Sequence, residues 1–200
     1  MLKVGLTGSI AVGKSFVVEV FRELGCHVLD ADKTAREVVA KGSDGLAEIV
    51  RAFGENVLTL GGELDRKRMA AIVFADAEKR TLLNSIVHPR VIAAQDEWIS
   101  EREIADPNGI AIIDAALMIE AGGYRRFTKI IVVWCETAIQ FDRLVKRDGL
   151  TPNEARARIA AQMPQEEKKS YSDFLIDTSG GFDDARRRTE EVFAELKQFC

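Results

Sequence analysis

The segment whose residue types and spacing speak most directly of chemistry is Gly8-Ser9-Ile10-Ala11-Val12-Gly13-Lys14-Ser15. It satisfies the pattern G-x-x-x-x-G-K-S/T, and it stands between the apolar run Leu2–Thr7 and a helical pattern beginning near Lys14. Glycines let the backbone curl so that successive N–H groups face one anion. The helix N-terminus adds about half a positive charge and Lys14 a full one. Ser15 is placed to offer its hydroxyl to Mg²⁺. The expected ligand is a nucleoside triphosphate.

Carboxylates form a second constellation. Asp30-Ala31-Asp32 ends a short apolar run, His27–Asp30, and the carboxyl ends of parallel strands are where α/β sheets place ligands. Asp32 reads equally well as a general base for an attacking hydroxyl or as the N-cap of the next helix, with Asp30 the better cap. Asp114 ends the run Ile110–Ile113, where a carboxylate can orient Mg²⁺ directly or through water. Arg36 stands one turn beyond Asp32 and can share its helix face, in a site or in a plain surface pair. His88-Pro89 lies between two helical stretches, where proline would start the second helix, and His88 by itself reads as a capping or packed histidine. Arg143, Lys146, Arg147, Arg156 and Arg158 make one stretch basic, as closing over a triphosphate requires, although a solvated helix face is the alternative for each.

Elements that must position these groups are visible in the hydropathy. Strand-like runs fall at Leu2–Thr7, His27–Asp30, Ile110–Asp114, Lys129–Trp134 and Phe174–Asp177, with helical patterns between them, which predicts a parallel α/β sheet. The runs are apolar nearly throughout, as in central strands covered on both faces. Between Ala31 and Asn108 only a weak strand candidate occurs, near Val57–Leu60, while Leu46–Phe53, Met69–Phe74, Leu82–Val87 and Val91–Ile99 look helical. So long a crossover predicts a helical subdomain built onto the sheet. A second insertion, about Arg143–Ser170, is charged and helix-prone, with Thr151-Pro152-Asn153-Glu154 as an N-terminal signal. The final helix puts Phe182, Ala185, Thr189, Val192, Phe193, Leu196 and Phe199 on one face.

Composition narrows the function classes. The 200 residues are 46% hydrophobic and 30% charged, and Lys+Arg 28 against Asp+Glu 32 leaves a net charge of -4. One ordinary domain is expected, with no bulk charge to attract nucleic acid or an anionic membrane. Apolar runs are far shorter than the roughly 20 residues of a membrane span, and no signal-peptide pattern opens the chain, so a cytoplasmic protein is expected. Cys26, Cys135 and Cys200 form no CxxC or Cys/His spacing and read as reduced thiols, the first two buried. No Asn-Lys-x-Asp occurs, and the D-x-x-G at Asp177–Gly180 comes after the last strand, too late for a GTPase switch.

Together these motifs make the chain resemble the dephospho-coenzyme A kinases. The likeness runs through Val4-Gly-Leu-Thr-Gly8 and the phosphate loop, Asp30-Ala-Asp32-x-x-Ala35-Arg36-Glu-Val38-Val39, and Ile86-x-His88-Pro89-x-Val91. It continues through Gln140-x-x-Arg143-Leu-x-Lys146-Arg147-Asp148-Gly149, Arg158-Ile-x-x-Gln162-Met-Pro164 and Asp173-x-x-Ile176-Asp177-x-x-Gly180. The resemblance implies a P-loop NTPase-type three-layer α/β/α fold with a five-stranded parallel sheet. It implies a helical acceptor-binding subdomain over about 31–108 and a lid over about 143–170. It further implies transfer of the γ-phosphoryl of ATP, with Mg²⁺, to the ribose 3′-hydroxyl of dephospho-coenzyme A. Asp32 is then the base, Arg143 and Arg147 join Lys14 at the transferred group, Arg36 and His88 bind the acceptor, and Phe16 and Asp177 extend the nucleotide site. A monomer or weak homo-oligomer is expected, with neither nucleic acid nor membrane as partner.

The chain departs from the family pattern in places: Asp114-Ala-Ala-Leu117-Met-Ile-Glu120 lacks a usual proline, Phe16 replaces a usual Thr, and Thr178 replaces an Asn common near the adenine. Two rivals remain open at this stage. One is a kinase for another small acceptor, such as a nucleoside monophosphate, since one fold serves many substrates. The other is a regulatory module that hydrolyses ATP without phosphorylating anything.

Overall fold

A computed structural model describes residues 1–200. Five strands form at the apolar runs: β1 Leu2–Gly8, β2 His27–Asp30, β3 Ile110–Asp114, β4 Lys129–Trp134 and β5 Phe174–Asp177. All pairings are parallel, and the strand order is β2-β3-β1-β4-β5. β1 is therefore central, and its two neighbours lead to opposite edges of the sheet. The carboxyl end of such a strand is a topological switch point, where an open α/β sheet leaves a crevice for ligand. The register aligns Leu6 with Asp114, Asp30 with Asp114, and Gly8 with Val133. The expected three-layer α/β/α architecture is thus present.

The helices are α1 Lys14–Glu23, α2 Ala31–Glu37, α3 Asp44–Phe53, α4 Arg66–Ala75, α5 Ala77–Ala105, α6 Thr137–Asp148, α7 Pro152–Ala160, α8 Gln165–Lys169 and α9 Phe182–Leu196. Leu2, Val4 and Leu6 of β1 alternate onto one face of the sheet, where they pack with Val17 and Phe21 of α1 and Val192 and Leu196 of α9. Most of these side chains are completely buried, each stabilising the fold by about 1.5–3 kcal/mol relative to exposure. On the opposite face Gly5 is required by close packing: a Cβ there would sit 2.5 Å from Met118 Sδ and 2.8 Å from Ile130 Cδ1.

The chain divides into two compact units, Met1–Asp30 with Arg102–Cys200, and Ala31–Glu101. The first holds the sheet. The second has its own core of Val39, Ile49, Val57, Met69 and Ile86. Its α3 starts from a side-chain cap, Ser43 Oγ accepting the Leu46 N–H at 3.1 Å.

Three expectations need correction. Val57–Leu60 is no strand: Glu55–Val57 makes a short 3₁₀ turn, and Leu58 forms only an isolated bridge with Leu64. The two helices expected around His88-Pro89 are one helix, with Pro89 inside it. Proline removes the intrahelical donor to the Ser85 carbonyl, and the next carbonyl, of Ile86, accepts the Arg90 guanidinium at 2.7 Å. The apolar stripe of the final helix is buried from Ala185 to Leu196 only, since Phe182 at the start of α9 and Phe199 in the 3₁₀ turn beyond it are 72% and 52% exposed.

Candidate active site

The phosphate loop follows β1 without a break. Gly8 lies so close to β4 that a Cβ would meet the Val133 carbonyl oxygen at 2.6 Å. Ala11 has φ 60 and Gly13 φ 85, so the chain turns twice through left-handed conformation before α1 begins at Lys14. Ala11 is the only non-glycine residue in that region, at a cost of roughly 1–2 kcal/mol. α1 has no side-chain cap and no acid in its first turn. Phe16 and Val17 donate to the Gly13 carbonyl, and the N–H groups before them lie at the positive end of the helix dipole, which suits an anion.

Gly8–Phe16 line a cavity of about 690 Å³ together with Ala116, Arg143, Lys146, Arg147, Gln162, Thr178, Gly181, Phe182 and Ala185. This volume is in the range of small-molecule sites. Lys14 Nζ is bonded to Asp114 Oδ1. That contact puts the β3 carboxylate beside the residue preceding Ser15. Both Ser15 and Asp114 offer hard oxygens, which suits Mg²⁺, an ion usually held by one or two protein groups plus substrate phosphates. No group of three or more His, Cys, Asp or Glu side chains is gathered to form a cage of protein ligands alone.

Arg143 is braced against the loop after β5. Its Nη1 donates to Thr178 Oγ1 at 2.9 Å and its Nη2 to the Thr178 carbonyl at 2.8 Å. Thr178 Oγ1 in turn donates to the Val12 carbonyl at 2.7 Å. The threonine that replaces the expected asparagine therefore ties an arginine of the cavity wall to the phosphate loop. Arg147 lines the cavity while its guanidinium holds Asp148 at 2.7 and 3.2 Å. Arg158 adds a third bond to that carboxylate at 2.8 Å. Hydrogen bonding from Arg147 lowers the Asp148 pKa, and the same bond raises that of Arg147. Lys146 also lines the wall; Arg156 stacks over Phe141 instead.

The remaining expected residues have varied settings. Asp177 is outside the cavity lining and accepts the Ser179 N–H and hydroxyl at 2.8 and 2.6 Å, so it shapes the loop after β5. Phe16 does line the cavity, its ring 4.8 Å from that of Phe182. Asp32 and Arg36 lie one turn apart on the exposed side of α2, and His88 is exposed on α5. Asp30 closes β2 directly before α2.

Sequence reasoning missed two features. Ser9 Oγ is the one buried side-chain polar atom without a hydrogen-bond partner. Lys168 is fully buried, its Nζ bonded to Glu120 Oε1 at 2.9 Å and to the Ala116 carbonyl at 3.0 Å. A lysine in a run of charges, Gln165-Glu-Glu-Lys168-Lys169, carries no local signal of burial. The charged insertion is otherwise built as expected, with Thr151 and Glu154 closing a reciprocal capping box at the start of α7.

Comparison with known proteins agrees with this geometry. The family model for dephospho-CoA kinase matches residues 2–184. A dephospho-CoA kinase of Shouchella clausii is 41% identical over 196 residues, covering 97% of this chain and 98% of that protein. Among solved structures, the TT1252 protein of Thermus thermophilus superposes with a TM-score of 0.82 at 33% identity, over 98% of this chain and 97% of that one. A dephospho-CoA kinase from Campylobacter jejuni gives 0.72 at 29% identity, with the same coverage. The chain belongs to the dephospho-CoA kinase family, the enzymes that use ATP to phosphorylate dephospho-CoA to CoA in the final step of CoA biosynthesis.

Proposed function

We propose that this chain transfers the γ-phosphoryl group of ATP to the ribose 3′-hydroxyl of dephospho-CoA, using the residues expected from the sequence. The observation that carries the reading is the phosphate loop at the end of β1, with Lys14 and the uncapped start of α1 turned to one cavity. In the transfer, the acceptor oxygen bonds to phosphorus while the bond to the β-phosphate oxygen breaks and ADP leaves. Phosphoryl transfer asks mainly for alignment and charge neutralisation. Lys14 and the loop N–H groups neutralise the donor phosphates, with Arg143 and Arg147 above them. Asp32 takes the proton of the 3′-hydroxyl. Arg36 and His88, on the helical unit between β2 and β3 in the chain, bind the acceptor, and the α6–α8 segment acts as the lid.

Ser15 and Asp114 would hold Mg²⁺, which when bound supplies positive charge at the donor phosphates. Gly8–Phe16 bind the triphosphate end of ATP, and Asp177 contributes by fixing the neighbouring loop. We place this activity in the cytoplasm, in a monomer or weak homo-oligomer; no helix is long and apolar enough to cross a membrane. The experiment is an acceptor panel with Mg-ATP, in which ADP formation is measured with dephospho-CoA, its 3′-deoxy analogue, and nucleoside monophosphates. Turnover with dephospho-CoA alone is expected. Equal turnover with the 3′-deoxy analogue would remove the 3′-hydroxyl as acceptor, and turnover only with a monophosphate would assign another substrate.

A further inference from the structure

Ile10, inside the phosphate loop, has both of its main-chain polar groups held by glutamine side chains. Its N–H donates to Gln162 Oε1 at 2.7 Å, and its carbonyl accepts from Gln140 Nε2 at 2.8 Å. Gln140 Oε1 accepts from Gln165 Nε2 at 2.9 Å, and Gln165 Oε1 accepts the Cys135 N–H at 3.2 Å. A chain of donors thus runs from the end of β4, through α8 and α6, to the phosphate loop. Both of its ends are main-chain groups of fixed polarity, because Cys135 N–H only donates and the Ile10 carbonyl only accepts. Each amide between them has a single workable orientation. Gln140 is 1% exposed, which makes an interrupted link costly.

Directly after Ile10 comes Ala11, whose φ of 60 is unfavourable for any residue with a Cβ. Such a conformation persists where the surroundings over-determine it. The Gln140 bond fixes the Ile10–Ala11 peptide plane, the Gln162 bond fixes the plane before it, and Thr178 holds the Val12 carbonyl on the other side of Ala11. Gln140 is absent from the cavity wall, which Gln162 joins. Gln140 therefore acts on the donor only through the loop.

We propose that Gln140, supported by Gln165, is a positioning residue for phosphoryl transfer: the amide relay holds the Ile10 peptide so that Ala11 stays left-handed and the following N–H groups stay aimed at the donor phosphates. The inference rests on the phosphate loop holding ATP. Gln162, at the foot of the lid segment, completes the grip from the other side and joins that foot to the loop.

Steady-state kinetics of Q140M, Q140E, Q165M and the Q140M/Q165M double variant test this. Methionine keeps the length of the side chain without its donor, and glutamate keeps its shape but cannot donate to the Ile10 carbonyl. Small misplacement of a phosphate cradle is expensive in rate, so Q140M and Q140E are expected to lower kcat about 10-fold and to raise the KM for ATP about 5-fold. The KM for dephospho-CoA stays within about 2-fold. Q165M shifts the same constants in the same direction by less. Because the relay is already cut, the double variant is no worse than Q140M. Wild-type constants in folded Q140M, additive losses in the double variant, or an equal rise in both KM values would overturn the proposal. If Q140M does not fold, Q165M decides: an unchanged KM for ATP overturns it. Lys14→Ala, assayed beside them, separates the two readings. An inactive Lys14 variant with a normal Q140M leaves the phosphate cradle standing and removes the relay, whereas an active Lys14 variant removes the cradle itself.

Discussion

Lys14, the first residue of α1, is bonded through Nζ to Oδ1 of Asp114, the last residue of β3. Their side chains are only 18% and 12% exposed, so the pair sits where screening by water is weak. The lysine of the phosphate loop thus rests on the carboxylate proposed for Mg²⁺. On that proposal, bound donor phosphates would give Lys14 an opposite charge of its own, and Asp114 would be free to hold the cation.

Replacing Asp114 by Asn removes the charge and keeps the shape. The expected result is a fall in kcat of about 100-fold and saturation only at higher free Mg²⁺. Initial rates against free Mg²⁺ check this; an unchanged Mg²⁺ dependence would take the metal away from Asp114.

Asp32→Asn leaves the cradle intact and removes the proposed proton acceptor. Turnover is expected to fall by about 10²–10⁴, while the KM for ATP changes little. A helix cap alone would leave both turnover and melting temperature unchanged, because asparagine caps as well as aspartate. Kinetics and melting curves on one preparation separate the roles.

Ser9 offers a stability test within the loop. Its buried hydroxyl has no partner, and an unsatisfied group of that kind costs about 1–3 kcal/mol. Ser9→Ala keeps the backbone donor and removes the orphan, so urea unfolding is expected to give an increase of about 1 kcal/mol with the KM for ATP within about 2-fold. A loss of stability would mean that the hydroxyl has a partner in solution.

Cys26 gives a pH test. Burial pushes its thiol up from 9.0 to about 12. The folded state binds that proton more tightly than the unfolded chain, so the associated stability is fully present below about pH 9 and is lost as pH rises toward about 12. Urea unfolding of the wild type and of Cys26→Ala at about pH 8 and about pH 10.5 should show the wild type losing about 2 kcal/mol more than the variant. Parallel losses would contradict the burial of this thiol.

Much of this protein was legible in its sequence, and the illegible parts share a cause. Strands such as Ile110–Asp114 and Lys129–Trp134 announced themselves because a strand buried on both faces must be apolar throughout. The phosphate loop was legible because close approach to an anion admits few residue types at fixed spacing. Pro89 misled because proline usually opens a helix, and no local residue pattern marks its place inside α5. Phe182 fits the α9 stripe by period, yet it lies exposed beside Phe16 at the cavity. The glutamine relay and the buried Lys168 depend on partners far along the chain, 130 residues in the case of Gln140 and Ile10. Motif resemblance had marked Gln140 and Gln162 without giving them a task. Only the fold brings their amides to one residue, Ile10.

The most direct test of the account is mass spectrometry of the small molecules after incubation with Mg-ATP and dephospho-CoA, with Lys14→Ala in parallel. The account predicts that the wild type forms CoA and ADP in equal amounts and that the folded Lys14 variant forms neither. CoA formed by the variant at the wild-type rate, or ADP released by the wild type without CoA, would contradict it.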